Sequence, residues 1–217
     1  MRNAILFLFV FVLTSFVSQA QDDLKLGIKA APIIGTNRAF LDDADTDIEN
    51  GSGYFNFSLG LIVDKFFGDS YAFSTGLIYL PREVTMDVSS AANTFNEQET
   101  YKLQYLQVPV TVKLFTNEVM PDGKIYFQLG GAVEVKIFQQ GDEELTEPTI
   151  VSKFQPINLP VIIGTGLEYR AGLNTILIAG LSYQRGLNNQ IGTTNFEFDE
   201  ELSIRSSVFS IDLGIKF

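Results

Sequence analysis

The amino-acid sequence predicts an all-β fold, an eight-stranded antiparallel up-and-down transmembrane β-barrel preceded by an N-terminal signal peptide. Three observations predict this fold. Segments of about ten residues alternate apolar with small or polar side chains. Short and long connections alternate between these segments. One face of the segments also carries more bulky apolar side chains than the inside of so narrow a barrel can hold.

The start of the chain has the pattern of a secretory signal peptide. Arg2 gives a positive start, residues 5–13 form an unbroken apolar run, and Ser18-Gln19-Ala20 places small residues at the usual cleavage position. The alternative is a membrane-anchoring helix, but the run is shorter than the roughly 20 residues of a span, and no basic stop-transfer cluster follows it. We therefore predict a cleaved signal peptide at 1–20 and one barrel domain at 21–217.

The residue types that are missing restrict the chemistry. The 217-residue chain contains no Cys and no His. Disulfides and thiolate metal sites are therefore excluded, and the commonest general base and metal ligand is absent. Loss of Arg2 with the signal peptide changes the formal net charge from −11 to −12, which argues against a nucleic-acid partner. No cofactor and no metal site are predicted.

The mature chain contains eight segments with strand periodicity, and none with sustained helical spacing. They are 24–34, 53–65, 71–82, 101–115, 124–137, 157–170, 175–186 and 206–217. The last segment shows the alternation most clearly. One of its faces carries Phe209, Ile211, Leu213, Ile215 and Phe217, and the other carries Ser210, Asp212, Gly214 and Lys216.

The connections predict how the segments are joined. Three connections are short, at 66–70, 116–123 and 171–174. The other four are each roughly 18 residues long, far above the usual loop length of a compact soluble domain; they lie near 35–52, 83–100, 138–156 and 187–205. An even number of strands, with short turns at one end and long loops at the other, is the plan of outer-membrane barrels.

Side-chain volume predicts which face points outward. The bulky set amounts to roughly forty residues, whereas an eight-stranded barrel is only just wide enough inside for side chains to fill. Members of this set are Phe55, Phe57, Leu59, Leu61, Phe73, Leu77, Tyr79, Leu106, Val108, Val110, Val112, Phe127, Leu129, Val133, Val161, Ile163, Leu167, Leu177, Leu181 and Tyr183. The opposite face is rich in Gly, Ser and Ala, as a crowded interior requires. The bulky face is therefore predicted to contact outer-membrane lipid, and a soluble ligand-binding barrel is disfavoured.

Aromatic residues and prolines add local detail. Six tyrosines near the predicted strand ends suit an aromatic girdle at the membrane surface: Tyr54, Tyr71, Tyr79, Tyr101, Tyr169 and Tyr183. Pro109 and Pro160 lie inside segments and each removes a ladder donor, so we predict a bulge at both positions.

The small-residue face also carries charges. If both termini are periplasmic, the alternation of side chains along each strand (their parity) directs eight charged residues into the barrel, all toward its periplasmic half. They are Lys25, Lys29, Asp64, Lys113, Glu168, Arg170, Asp212 and Lys216. Five are basic and three are acidic, which is close enough to balance for a paired network. We hypothesise that this network plugs the barrel; the alternative, that most of these charges are solvated at the periplasmic rim, stays open.

The long connections are acidic. Residues 42–49 resemble a calcium-binding loop, but the turn position lacks Gly and the twelfth position is Tyr54 or Asn56 instead of Glu. Similar acidic clusters lie within 142–147 and 197–201. We interpret all three as solvated surface loops, with bridging by divalent cations as the alternative.

An enzyme is not expected. Barrel proteases, phospholipases and deacylases of outer membranes generally use a His for proton transfer, and this chain has none. A pair of carboxylates could do acid–base work, but no spacing or cleft in the sequence argues for one. No catalytic residue is predicted.

Five sequence motifs resemble the PorT-type outer-membrane β-barrel family. They are Tyr105-Leu106-Gln107-Val108-Pro109-Val110 followed by Lys113, Gly130-Gly131, Gly166-Leu167-Glu168-Tyr169, Tyr183-Gln184-Arg185-Gly186-Leu187-Asn188 and Gly214-Ile215-Lys216-Phe217. The resemblance covers nearly all of the mature chain. It implies an integral outer-membrane protein whose terminal aromatic residue is read by the barrel-insertion machinery, and it implies secretion-system components as partners. It implies no catalytic or ligand-binding residues.

Three functions remain in competition at this point. The first is a non-enzymatic barrel that acts by contact, as a structural component, an adhesion surface or a secretion accessory. The second is a small passive transport pore, which the small strand number and the inward charges disfavour. The third is a soluble periplasmic ligand-binding barrel, which the volume of the bulky face disfavours.

Overall fold

The computed structural model describes residues 23–40, 46–50, 53–90, 95–141, 151–194 and 203–217. In these ranges the chain is almost entirely β-strand. The strands are β1 (Leu24–Phe40), β2 (Thr46–Asn50), β3 (Tyr54–Phe66), β4 (Tyr71–Ser90), β5 (Phe95–Met120), β6 (Gly123–Gln140), β7 (Val151–Phe154), β8 (Ile157–Asn158), β9 (Pro160–Arg170), β10 (Ile176–Gly186), β11 (Ile191–Thr194) and β12 (Ser203–Lys216). Among the residues that the structure describes, no helix is long and apolar enough to cross a membrane.

Eight of the strands form a closed antiparallel barrel. Each pairs with its neighbour in the order β1, β3, β4, β5, β6, β9, β10 and β12. The ring closes because β12 pairs back with β1, with Gly27 opposite Lys216 and Ala30 opposite Leu213. Closure leaves no unpaired sheet edge around the barrel wall. The predicted fold class, an eight-stranded antiparallel up-and-down barrel, is confirmed.

The two ends of the barrel differ. At one end of the barrel, β1 begins and β12 ends. The tight turns after β3, β5 and β9 lie at the same end, which we call the terminal end. At the other end, which we call the loop end, the long connections lie. Two short strands pair there, β7 with β11, and β2 pairs with the last residues of β4.

The bulky residues point outward, as the volume argument predicts. Phe57 and Leu129 are 64% and 63% exposed. Every member of the predicted outward set is exposed except Leu106 and Leu167, which are half-buried. Each CH₂ of such a side chain is worth about 0.8 kcal/mol when it leaves water. The outer surface therefore requires an apolar surrounding.

Several strand limits differ from the prediction. The connection predicted near 83–100 is mostly a hairpin, since β4 continues to Ser90 and β5 begins at Phe95. Their pairing is regular from Arg82 opposite Leu103 to Ser90 opposite Phe95. The sequence from 83 to 88 alternates polar with apolar residues, which is strand periodicity that the predicted limit at residue 82 leaves out. The connections near 35–52, 138–156 and 187–205 likewise contain the ends of β1, β6 and β12 or the short strands β2, β7 and β11.

The predicted bulges at Pro109 and Pro160 are wrong. Pro109 lies opposite Ala132 in an unshifted register. Pro160 lies opposite Gly186, also without a shift. Each proline lacks an N–H donor, so the pairing with one of its two neighbouring strands is interrupted at that position. No extra residue is inserted. In the described barrel wall the register shifts lie elsewhere, in the β5–β6 pair next to Gln104 and beyond Phe115.

The interior of the loop end is apolar, which the small-residue pattern did not predict. A buried cluster there contains Ile33, Leu80, Val84, Leu103, Tyr105, Ile204 and Val208 from the barrel and Val151, Phe154 and Ile191 from β7 and β11. Tyr54 and Tyr101 belong to the same cluster and are buried, so their predicted place in an outer aromatic girdle is wrong. Both tyrosines lie an even number of positions from inward-pointing residues of their own strands, and this alternation directs their side chains into the barrel. The other four tyrosines of the predicted girdle point outward.

Candidate functional site: the charged interior of the barrel

Four charged side chains form a ring inside the terminal end. Asp64 Oδ2 lies 2.8 Å from Lys113 Nζ and 2.8 Å from Lys216 Nζ. Glu168 completes the ring, with Oε2 at 2.6 Å from Lys216 Nζ and Oε1 at 3.5 Å from Lys113 Nζ. All four side chains are buried. Each ammonium therefore contacts both carboxylates, and the ring as a whole is neutral.

The ring ties together strands that are not neighbours. Asp64, Lys113, Glu168 and Lys216 lie on β3, β5, β9 and β12, which are every second strand around the barrel. Strand alternation sends each of these side chains inward. The tilt of the strands then brings them to one level. The four contacts therefore brace the barrel across its diameter.

Further contacts hold this ring in place. Ser74 donates a hydrogen bond to Asp64 Oδ1 at 2.5 Å. Lys113 Nζ lies 5.0 Å from the centre of the Tyr126 ring, and Lys216 Nζ lies 5.4 Å from that of Phe66, within the range of a cation–π interaction. Buried charges are tolerated when they are paired and hydrogen-bonded in this way.

The remaining predicted residues lie outside the ring. Lys29 Nζ pairs with Asp212 Oδ1 at 3.0 Å, between the adjacent strands β1 and β12. Lys25 is half-buried and Arg170 is exposed. These two side chains line an open cleft of about 250 Å³ at the terminal end, and Glu168 lies at the bottom of that cleft. The structure thus brings six of the eight predicted residues into pairs and places Lys25 and Arg170 at the rim.

A second cluster, which the sequence analysis missed, lies nearer the loop end. Arg82 Nη2 lies 2.7 Å from Glu134 Oε1. Gln107 Nε2 donates to Glu134 Oε1 and to Gln184 Oε1, both at 2.7 Å, and Asn158 Nδ2 donates to Glu134 Oε2 at 2.5 Å. All five side chains are buried. We call this group the amide–arginine layer.

Parity could have found this layer. Arg82 shares the inward parity of Ser74 and Gly76 on β4, and Glu134 shares that of Gly130 on β6. The eight charges predicted to point inward all lie in the half of the barrel nearest the termini, and Arg82 and Glu134 are not among them.

Among the residues that the structure describes, the charges that form salt bridges inside the barrel are balanced. The four cations are Lys29, Arg82, Lys113 and Lys216. The four anions are Asp64, Glu134, Glu168 and Asp212. Each of them lies within salt-bridge distance of an opposite charge.

The described residues contain no group of three acidic side chains that could hold a metal ion. Most of the acidic stretch at 42–49, and both clusters at 142–147 and 197–201, lie outside the described residues or have side chains outside them. Divalent bridging by those loops stays a prediction.

A closed antiparallel barrel with an apolar outer band and a polar, filled interior defines an integral membrane β-barrel protein. The family comparison agrees with this class. Residues 19–192 match the family model of the outer membrane protein beta-barrel domain, and the chain belongs to this family. It is an outer-membrane β-barrel protein that sits in the lipid bilayer. The matched range ends before β12, the strand that closes the barrel.

One solved structure supports the same fold. The outer membrane protein OprG from Pseudomonas aeruginosa superposes with a TM-score of 0.58 at 13% sequence identity, covering 90% of this chain and 97% of OprG. Neisserial surface protein A (NspA) superposes with a TM-score of 0.48 at 15% identity, covering 89% of this chain and 97% of that one. At such low identity only the fold is shared. No match was found among curated proteins.

Proposed function

We propose that this protein is a closed, non-enzymatic outer-membrane barrel that acts by contact, as a structural, adhesion or secretion-accessory component. The observation that carries the proposal is the filled interior. From the terminal end to the loop end, the barrel axis crosses the four-residue ring, the amide–arginine layer and the apolar cluster. A barrel whose described interior is filled in this way acts through its surface.

The direction of insertion is part of the proposal. Short turns at the terminal end and long connections at the loop end are the arrangement of bacterial barrels whose termini face the periplasm. The long loops are then extracellular and the ring faces the periplasm. Phe217, the last residue, is 55% exposed on the outer face, where the barrel-insertion machinery could read it. Residues 1–20 remain a predicted signal peptide outside the described residues.

The resemblance to the PorT-type family favours a secretion accessory among the contact functions. The motif around Tyr105 to Val110 lies on β5, and its Gln107 belongs to the amide–arginine layer. The motif at the end of the chain supplies Lys216 to the ring. Tyr105, Gln107 and Lys216 of these motifs are thus buried in the interior of the barrel. This placement supports a role for the motifs in barrel closure and leaves the secretion partners to experiment.

Single-channel recording tests the closed barrel. Purified mature protein (residues 21–217) is reconstituted into planar lipid bilayers, with a 16-stranded porin as the positive control for insertion and detection. We expect no steady conductance from the eight-stranded protein. A stable open conductance that scales with the amount of inserted protein would refute the proposal and favour the second candidate, a passive transport pore.

Crosslinking tests action by contact. A photoreactive amino acid placed at exposed Arg185, near the loop end of β10, samples partners in intact cells. Leu129, which is also exposed but lies within the lipid-facing band, is the matched control position. We expect protein adducts from position 185 and none from 129. Cells that yield no protein adduct from any position of the loop end contradict a contact function.

A further inference from the structure

A small cavity lined by both polar and apolar side chains lies inside the barrel between its two charged layers. It has a volume of about 30 Å³ and is bordered on one side by Lys113 of the ring and on the other by Gln107 and Gln184 of the amide–arginine layer. The Lys29–Asp212 pair also lines it. The cavity therefore separates the two layers along the barrel axis.

Three buried oxygen atoms around this cavity lack a hydrogen bond from any described residue. They are Gln107 Oε1, Ser182 Oγ and Asp212 Oδ1. All three side chains are at least nine-tenths buried, and all three line the cavity. Asp212 Oδ1 lies 3.0 Å from Lys29 Nζ, but the geometry of that ion pair does not make a hydrogen bond. A buried acceptor without a donor costs free energy unless something small donates to it.

We propose that this cavity is a binding site for a cluster of about two water molecules, and that the four-residue ring is the polar barrier between it and the terminal-end cleft. A water molecule needs about 10–15 Å³ of cavity volume and two to four polar partners, and the cavity supplies both. The charges that line it are already paired, so a neutral ligand fits better than an ion. This inference rests on the closed lumen of the proposed function.

The ring forms the polar part of the wall on the terminal side, because its members line both spaces. Phe115, which lines the cleft, packs against Tyr126, which lines the cavity, and forms part of the apolar remainder. Glu168 lines the cleft and Lys113 lines the cavity. Their charged atoms, Glu168 Oε1 and Lys113 Nζ, are 3.5 Å apart. One layer of side chains therefore separates solvent from the buried water.

Methyl NMR tests the ligand. Ile62, Ile78, Ile162 and Ile178 line the cavity, whereas Ile163 and Ile211 point outward and serve as controls. With δ1-methyl labelling of the protein in lipid nanodiscs, we expect cross-peaks from long-lived water to the four inward methyls. The outward methyls should show cross-peaks to lipid only. Absence of water cross-peaks from all four inward methyls overturns the water site even if the barrel does not conduct.

Cysteine accessibility tests the wall, and the chain suits it because it contains no Cys. Ser182→Cys places a thiol in the cavity at nearly constant size. We expect no modification by methyl methanethiosulfonate, a small neutral thiol reagent, in the otherwise unchanged barrel. In the background Lys113→Ala with Glu168→Ala, which removes one charge of each sign, we expect modification at least ten times faster. Ser58→Cys, which is buried but does not line the cavity, should stay unreactive in both backgrounds.

The outcomes separate the two proposals. Fast modification of Ser182→Cys in the intact ring, or none after removal of the Lys113 and Glu168 side chains from a folded barrel, overturns the barrier role of the ring. Neither outcome contradicts the closed lumen, which is tested separately by the conductance of the unmodified protein. Gel migration before and after heating shows that each variant is folded.

Discussion

Lys216, the residue before the C-terminal Phe217, places its Nζ atom 2.8 Å from Oδ2 of Asp64, which lies 152 positions earlier in the chain. Neither side chain has measurable exposure. The contact joins the strand that closes the barrel, β12, to β3 across the lumen. Because both groups are charged and fully buried, each depends on the other for its stability in the interior.

Removal of the Lys216 charge should be strongly destabilising. Lys216→Met leaves Asp64 and Glu168 facing a single ammonium, Lys113, in a buried site. Breaking a buried pair costs about 3–5 kcal/mol, so we expect a loss of that size in the free energy of unfolding, measured by urea titration in lipid vesicles. The matched control is Lys102→Met at an exposed position, which should change stability by less than about 0.5 kcal/mol.

The same pair should show coupling in a double-mutant cycle. Lys216→Met combined with Asp64→Asn removes both charges, so the ring keeps one pair, Lys113 with Glu168, and stays neutral. We expect the double variant to lose less stability than the sum of the two single variants, with an interaction energy of about 1–3 kcal/mol. Strict additivity would mean that the two groups do not stabilise each other.

Arg82 depends on Glu134 in the amide–arginine layer. Glu134→Gln keeps the size and part of the hydrogen bonding of this side chain but leaves the Arg82 charge buried and unpaired. We expect a loss of about 3–5 kcal/mol and partial recovery when Arg82→Met is added. Unfolding of the single and double variants under the same conditions measures both effects; a double variant less stable than Glu134→Gln contradicts the pairing.

The outer face should reject charge at mid-height. Leu129→Arg places a guanidinium in the lipid-facing band, where such a change costs about 2–4 kcal/mol near the bilayer midplane. Leu173→Arg makes the same substitution in a tight turn where the side chain is 99% exposed, and it should cost less than about 0.5 kcal/mol. Equal effects of the two substitutions on unfolding in vesicles would place residue 129 outside the hydrocarbon layer.

Small residues inside the barrel should resist enlargement. A Cβ atom added at Gly166 would lie 2.6 Å from the Ala179 carbonyl oxygen and 2.7 Å from Gly180 Cα, so backbone would have to move. Gly166→Ala should therefore cost about 1–3 kcal/mol, as overpacking does. At Gly172 the nearest atom to an added Cβ is Thr175 Cβ at 3.9 Å. Gly172→Ala, tested in the same assay, should be near neutral.

Periodicity and volume were enough to predict the barrel. Alternation along a strand divides its side chains between two faces. The excess of bulky apolar side chains on one face shows which face points outward. The same rule sends Asp64 and Lys216 inward. It cannot pair them, because their contact depends on strand register and tilt, which are set by turns and packing around the whole ring.

Other parts of the prediction failed for identifiable reasons. Arg82 and Glu134 follow the inward parity but lie beyond the half of the barrel that holds the eight predicted charges. Tyr54 and Tyr101 were assigned by their position near strand ends, although their parity sends them inward into the apolar cluster. The predicted limit at residue 82 leaves out the strand periodicity that follows it, and cross-strand pairing of β4 with β5 continues there.

The most direct test of the central claim is the solubility and folding of the predicted mature protein without lipid. Residues 21–217 are refolded by dilution from urea into aqueous buffer alone, into detergent and into lipid vesicles, and are followed by circular dichroism and by sedimentation. We expect β-structure and resistance to protease only with detergent or lipid, because the outer face of Phe57, Leu129 and their neighbours needs an apolar surrounding. A folded, monomeric and protease-resistant protein in buffer alone would contradict an outer-membrane barrel.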